Sequence, residues 1–188
     1  MSGDREEIAA VAFSPIRIGL AQTGDRRALE QLLVAIREPL FHHIRRIVGD
    51  GFSAEDVLQE ALFTICRTLP SLREPKWFRA WAYRIATRQA VRRGKRERFW
   101  MQAERDEELE GVAPVEETEL FEPEMFDALG DAVSGLPPAC QLVLRMHYHD
   151  ELTFTEIAEA LEIPVGTVKS RAAYGLGSLR KRLAHLTR

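Results

Sequence analysis

Apolar residues recur every three to four positions along most of this chain, and that spacing predicts helices rather than strands. Through "RRALEQLLVAIREPLFHHIRRIVGD", Leu29, Leu32, Leu33, Ile36, Leu40, Ile44 and Ile47 share one face, with Asp25 placed to cap the helix and Pro39 expected to kink or divide it. A turn over Gly49 to Phe52 leads to a second helix, for which Ser53 is the expected cap and Val57, Leu58, Ala61, Leu62, Ile65 and Leu69 the core face. Pro70 and Pro75 bracket a loop before a third helical stretch from near Trp77 to about Arg98. Helical spacing returns after Phe126, breaks at Leu136-Pro137-Pro138, and continues from Cys140 to His149. Ile157, Ala158 and Leu161 then mark a short helix, Glu162-Ile163-Pro164 a break, and Val168, Ala172 and Leu176 a second stripe, which together outline a helix-turn-helix. Thr153 and Glu156 have capping-box spacing, and Pro164 suits the start of the second helix, where a missing N–H costs nothing. Met1 to Gly24 shows little periodicity, and no stretch alternates as a strand or repeats. The expected fold is all-α, two small helical domains on a flexible tether.

The 188 residues, 45% of them hydrophobic, suffice for one ordinary domain or two small cores. No apolar run is long enough to cross a bilayer, and Asp4, Glu6 and Glu7 are acidic where a secretory signal is basic, so a cytoplasmic location is expected. Cys66 and Cys140 sit among apolar helical neighbours without any Cys-x-x-Cys or Cys/His cluster, and read as buried thiols. The net charge of −3 conceals a strong division along the chain. Ten Lys/Arg face two acids between Arg73 and Arg98, twelve Asp/Glu face Arg105 alone between Gln102 and Asp131, and six Lys/Arg face no acid from Val165 to Arg188. Basic amphipathic segments suit a polyanion, whereas "EELEGVAPVEETELFEPE" suits a solvated linker.

Three constellations follow. In the C-terminal helix pair, the second helix has the outline of a major-groove reader, with Thr167, Lys169, Ser170, Arg171 and Tyr174 as its polar or aromatic positions. In the third N-terminal helix, Phe78, Trp81, Ala82 and Ile85 mark a packing side. Arg84, Arg88 and Arg92, four apart, mark a cationic one extended by Lys95 and Arg96. Aromatics beside arginines hold unpaired bases by stacking and cation–π contact; Trp81 reads as core, and Trp77, next to Lys76, as an exposed contact. The second helix has the opposite sign: Glu55, Asp56, Gln59 and Glu60 cluster near its start, with Phe63 one turn on. The helix dipole favours acids there, and an acidic patch beside an aromatic also suits protein docking. Asp56 and Glu60 lack a third ligand, His147 and His149 point apart, and His42 and His43 are adjacent, so no metal site, cofactor or catalytic residue is expected.

"SAEDVLQEALFTICRTL" resembles the core-polymerase-binding helix of bacterial sigma factors, "FRAWAYRIATRQAVRRGKRER" the helix that opens and reads the −10 promoter element, and "LTFTEIAEALEIPVGTVKSR" the −35-reading helix-turn-helix. The two-domain form resembles the extracytoplasmic-function (ECF) group of the sigma-70 family, over roughly Asp25 to Arg98 and Asp127 to Leu183. The resemblance implies an N-terminal extension at 1–24, a region 2-like domain at 25–99, an acidic linker at 100–126 and a region 4-like domain at 127–188. It implies that Asp56, Gln59, Glu60 and Phe63 dock on the polymerase clamp. Lys76, Trp77, Arg79, Arg84, Arg88, Arg92, Arg93, Lys95 and Arg96 would face the −10 element, and Thr167, Val168, Lys169, Ser170, Arg171 and Tyr174 the −35 groove. Core RNA polymerase, promoter DNA and an anti-sigma factor are the implied partners. Many members carry Asn at the position of Arg88, Asp at that of Arg92 and a small turn residue at that of Glu162, and these departures bear on −10 base preference and on the turn. Gly175 and Gly177 within the recognition helix each cost about 1 kcal/mol relative to Ala.

Two weak DNA contacts on one chain reinforce each other through effective concentration. A flexible linker of about 26 residues spans roughly 30 Å, less than the on the order of 34–70 Å between duplex elements a turn or two apart, so a scaffold must hold it stretched. The acidic linker is expected to follow a basic, RNA-accepting channel of the polymerase. Two other readings compete: a stand-alone helix-turn-helix regulator with a sensing or dimerising N-terminal domain, and a metal-dependent nuclease using Asp56 and Glu60.

Overall fold

The computed structural model describes residues 12–93 and 130–186, and among these all regular structure is helical. The chain divides into two compact units, Met1–Lys95 and Arg96–Arg188. The acidic segment expected as a linker, with the proposed channel contacts, lies outside the described residues, as do Lys95 and Arg96.

In the first unit α1 (Pro15–Gln22) precedes α2 (Arg26–Val48), α3 (Gly51–Thr68) and α4 (Phe78–Arg93), with short 3-10 turns at Leu69–Ser71 and Pro75–Trp77. Asp25 caps α2 by accepting from the Ala28 N–H at 2.8 Å. Pro39 does not divide the helix, which runs unbroken to Val48 and ends on Gly49 in the left-handed region. The expected face is buried at Leu32, Ile36, Leu40, Ile44 and Ile47, while Leu29 and Leu33 sit half-exposed at its edges. The cap of α3 is Asp50, not Ser53: the Asp50 carboxylate accepts from the Ser53 N–H at 2.7 Å, so the helix starts three residues earlier than expected. That amide, and then the Ser53 hydroxyl, hold the Asp50 carboxyl below its ordinary value. Helix α1 was not legible as a helix; Ser14 caps it and Ile18 and Ala21 bury its inner side.

The first two turns of α4 are enclosed nearly all round, because it packs against both α2 and α3. Deep in that packing, His43 Nε2 lies 2.8 Å from Thr87 Oγ1, and the Thr87 hydroxyl donates to the Tyr83 carbonyl. One hydroxyl proton serves one acceptor, so the His43 ring donates from Nε2. Such a satisfied polar contact fixes how α4 is seated on α2. Cys66 is half-buried and Cys140 buried, both as free thiols, and burial pushes the Cys66 thiol up.

The second unit comprises α5 (Gly130–Ser134), α6 (Pro138–Tyr148), α7 (Phe154–Leu161) and α8 (Val165–Leu186). The capping box is complete: Glu156 N–H donates to Thr153 Oγ1 at 3.2 Å, and Thr153 N–H donates to the Glu156 carboxylate at 2.9 Å. Glu162 ends α7 at φ 58°, a left-handed backbone that favours glycine. Pro164 stands just before α8, its carbonyl accepting from the Val168 N–H at 3.2 Å. Val143, Leu144, Met146, Ile157, Val168, Ala172, Leu176 and Leu179 form the core. Gly175 lets α8 approach α6, since a Cβ there would stand 2.8 Å from Leu144 Cδ1. The Arg182 guanidinium donates to the carbonyls of Ala132 at 2.8 Å and Gly135 at 3.0 Å, tying α8 to the end of α5.

Candidate functional site

The outward side of α3 is a single stripe. Residues at i, i+4, i+7, i+8 and i+11 share one helical face, and here they are Phe52, Asp56, Gln59, Glu60 and Phe63. The opposite face, Ala54, Val57, Leu58, Ala61 and Ile65, is buried. Phe52 is 83% exposed and Phe63 66% exposed, and the Arg67 guanidinium lies 5.8 Å from the Phe63 ring centroid. Sequence reasoning found the polar residues and Phe63 but assigned Phe52 to a turn. Its spacing to Asp56, Gln59 and Phe63 was the signal that would have found it. Two exposed aromatics flanking carboxylates make a surface that buries apolar area at its ends and presents acceptors at its centre.

The acids of this patch are not all free. Arg37 of α2 pairs with Glu55 at 3.1 Å, and Arg93 of α4 pairs with Asp56 at 2.8 Å. Both pairs are solvent-facing, so each contributes little to stability. Gln59 and Glu60 are exposed. Arg93, which the resemblance set against the −10 element, thus stands on the α3 side, where Gln89 also donates to Thr64 Oγ1 at 2.9 Å. At 37 residues' separation no local spacing rule reports such a pair.

The remaining basic face of α4 has the expected geometry. Arg84, Arg88 and Arg92 succeed one another a turn apart, Arg84 half-buried and the other two exposed. Trp81 is core, only 8% exposed, and Phe78 is buried, stacked 5.7 Å from Phe13, whereas Ile85 is half-exposed rather than buried with them. Arg79 is half-buried on the helix's first turn. Trp77 is half-buried in the 3-10 turn, with Lys76 Nζ 5.6 Å from its ring centroid and bridged to Glu74 at 3.0 Å. A half-buried indole with a cation beside it makes a platform on which a base can stack while the ammonium attends to its phosphate.

On α8 two expected readers face inward. Val168 is 0% exposed and belongs to the core, and Arg171 is 4% exposed, so neither side chain is available to a groove. Helical phase explains both: they lie on the arc shared by Ala172, Gly175 and Leu179, which packs on α6. Thr167, Lys169, Ser170 and Tyr174 are half-exposed on the other arc, with the Ser170 hydroxyl donating to the Gly166 carbonyl at 3.0 Å. Among the described residues no group of His, Cys, Asp or Glu is placed to hold a metal ion, and no helix is long and apolar enough to cross a membrane.

Comparison with known proteins matches residues 32–99 to the family model of Sigma-70 region 2 and residues 132–181 to that of Sigma-70, region 4. The chain is 31% identical to the ECF RNA polymerase sigma factor SigW of Bacillus subtilis (strain 168) over 182 residues, which is 90% of this chain and 96% of that protein. It is 30% identical over 177 residues to the RNA polymerase sigma-H factor of Pseudomonas aeruginosa, covering 89% and 92% of the two chains. It is 29% identical to the ECF RNA polymerase sigma-E factor of Escherichia coli (strain K12), covering 80% and 83%. Among solved structures, CnrH in complex with the cytosolic domain of CnrY shares the fold at a TM-score of 0.65 and 18% identity, over 92% of this chain and 98% of that one.

Proposed function

The chain belongs to the extracytoplasmic-function group of the sigma-70 family, and on that premise we propose which of its surfaces carry each part of the work. As a sigma factor it binds core RNA polymerase and directs it to promoters. The outward stripe of α3, Phe52, Asp56, Gln59, Glu60 and Phe63, docks on the polymerase. The cationic face of α4 with Lys76 and Trp77 holds the melted −10 strand, and the outward arc of α8, Thr167, Lys169, Ser170 and Tyr174, lies in the −35 groove. The observation that carries this reading is the segregation on the first unit: an acidic stripe edged by exposed aromatics on α3 and a row of arginines on the adjoining helix.

Strand opening needs no bond chemistry from the chain. Capture of an unstacked base on the Trp77 and Lys76 platform, with its phosphates neutralised by Arg88 and Arg92, offsets an unstacking cost of a few kcal/mol. The chain acts in the cytoplasm, beside the polymerase. An anti-sigma factor is a further partner we infer, since CnrH, whose fold this chain shares, was solved with the cytosolic domain of CnrY.

Run-off transcription from genomic fragments, with purified core enzyme alone and with this chain added, is the direct test. Discrete new start sites that depend on the chain are expected, and Glu60→Lys, which reverses an exposed charge at the centre of the stripe, is expected to abolish them without loss of helicity. Specific promoter binding by the chain alone, unaffected by core enzyme, would instead support the stand-alone regulator.

A further inference from the structure

Helix α1 precedes the segment matched to region 2, which begins at residue 32, yet it is built into the unit. Its last residue, Gln22, spends its side-chain Nε2 on two carbonyls far along the chain: Leu69 at 3.1 Å and Leu72 at 2.6 Å. Just ahead of the helix, Phe13 stacks on Phe78 at 5.7 Å. These contacts fall on the two ends of one loop. Leu72 leaves the turn that closes α3 and Phe78 opens α4, while Lys76 and Trp77 stand between them. The backbone bonds within that loop are few and all local: Leu72 N–H donates to Leu69 at 3.0 Å, Trp77 N–H to Glu74 at 3.0 Å, and Phe78 N–H to Pro75. A segment bonded so sparsely is prone to local opening unless something outside it fixes its ends.

We propose that α1 is a positioning element for promoter opening: Gln22 and Phe13 clamp the two ends of the 72–78 loop, and thereby hold Trp77 and Lys76 ready for an unstacked base. The proposal rests on the assignment of that loop to the −10 strand. Gln22 itself touches no nucleic acid in this scheme. Its effect is to order the platform before DNA arrives, so that base capture does not also have to order a loop.

The test uses holoenzyme reconstituted from core enzyme and the full chain, on a promoter carrying 2-aminopurine in the non-template −10 strand, whose fluorescence rises on unstacking. Gln22→Ala is expected to slow opening about threefold to tenfold, the scale of one or two modest hydrogen bonds. Gln22→Glu, the same shape without N–H donors, is expected to slow it at least as much. Gln22→Lys restores a donor and is expected to bring opening back to within about twofold of wild type. Affinity for core enzyme should be the same in all three. Trp77→Ala separates the possible failures. If it impairs opening while Gln22→Ala and Gln22→Glu open like wild type, the clamp is refuted and the −10 assignment stands. If Trp77→Ala leaves opening untouched, the loop does not meet the melted strand and both fall. Loss of core affinity by Gln22→Ala, in step with the loss of opening, would reduce α1 to a general folding element and overturn the proposal.

Discussion

Gly175 and Gly177 lie two residues apart inside α8, and the structure predicts opposite consequences for the same substitution. Alanine in place of glycine in a helix interior gains about 1 kcal/mol from backbone propensity. At Gly177 nothing lies within 4 Å of the new methyl, so the full gain should appear. At Gly175 the methyl would meet Leu144 Cδ1 at 2.8 Å, with Leu136 Cδ1 and Leu144 Cγ at 3.5 Å. Comfortable carbon–carbon separation is about 3.5–4.0 Å, so Leu144 must retreat by roughly 0.7 Å or more. It is wholly buried, so its retreat has to be taken up by neighbouring core side chains. Overpacking of that kind costs about 1–3 kcal/mol, which cancels the propensity gain or exceeds it by up to about 2 kcal/mol. Amide hydrogen exchange on the full chain reads this directly, because the slow amides of α6 and α8 report the opening free energy of their own unit. Gly177→Ala should slow their exchange about fivefold, and Gly175→Ala should leave it unchanged or speed it by up to about thirtyfold. A cycle with Leu144→Ala supplies the control: removing the obstructing methyls should turn Gly175→Ala favourable, with a coupling of about 1 kcal/mol or more. If Gly175→Ala protects the helix as well as Gly177→Ala does, the close approach of α8 to α6 is wrong.

Other outcomes follow from single residues. Phe52→Ala and Phe63→Ala should each weaken association with core enzyme by about 1–2 kcal/mol in a fluorescence titration while leaving the helical signal unchanged; unaltered affinity of Phe52→Ala would remove that residue from the interface. Glu162→Gly should stabilise the second unit by about 0.5–1 kcal/mol, since relief of a left-handed backbone worth roughly 1–2 kcal/mol exceeds the extra unfolded freedom of glycine; a lower denaturation midpoint would contradict it. The Asp50 carboxyl is held below its ordinary value of 3.8 by the Ser53 amide, so its contribution is present above that pH and lost as pH falls through the depressed value. Asp50→Ala should therefore lower the denaturation midpoint near neutrality, and the gap from wild type should close in strong acid; a gap that stays constant with pH would show that the charge is irrelevant to the cap.

Periodicity made most of the helical fold legible, because each core face is a local pattern: Leu32, Ile36, Leu40 and Ile44 could only be buried together on a helix. The Thr153 and Glu156 box was equally readable, since both partners sit within one turn. What stayed hidden required knowledge of a neighbour. Asp50 and Ser53 are both good capping residues, and only the backbone path decides between them. Helix α1 is short and has just Ile18 and Ala21 as anchors, too few to register as a period. Motif matching placed Val168 and Arg171 among the DNA readers, but a linear motif does not say which arc of a helix faces the core, and the burial of Val168, Ala172 and Leu179 with the close approach at Gly175 settles that phase. Phe52 escaped because a glycine before it read as a turn. The pairing of Arg93 with Asp56 joins residues that had been assigned to different tasks.

That last pairing has a consequence for how the two helices can vary. Exchanging the acid and the base between positions 56 and 93 would preserve their attraction and leave the fold intact, yet it would turn the outward sign of α3 from minus to plus at its centre. Such a swap separates architecture from allegiance: a molecule just as stable, but with one acidic position of the proposed docking stripe converted to its opposite.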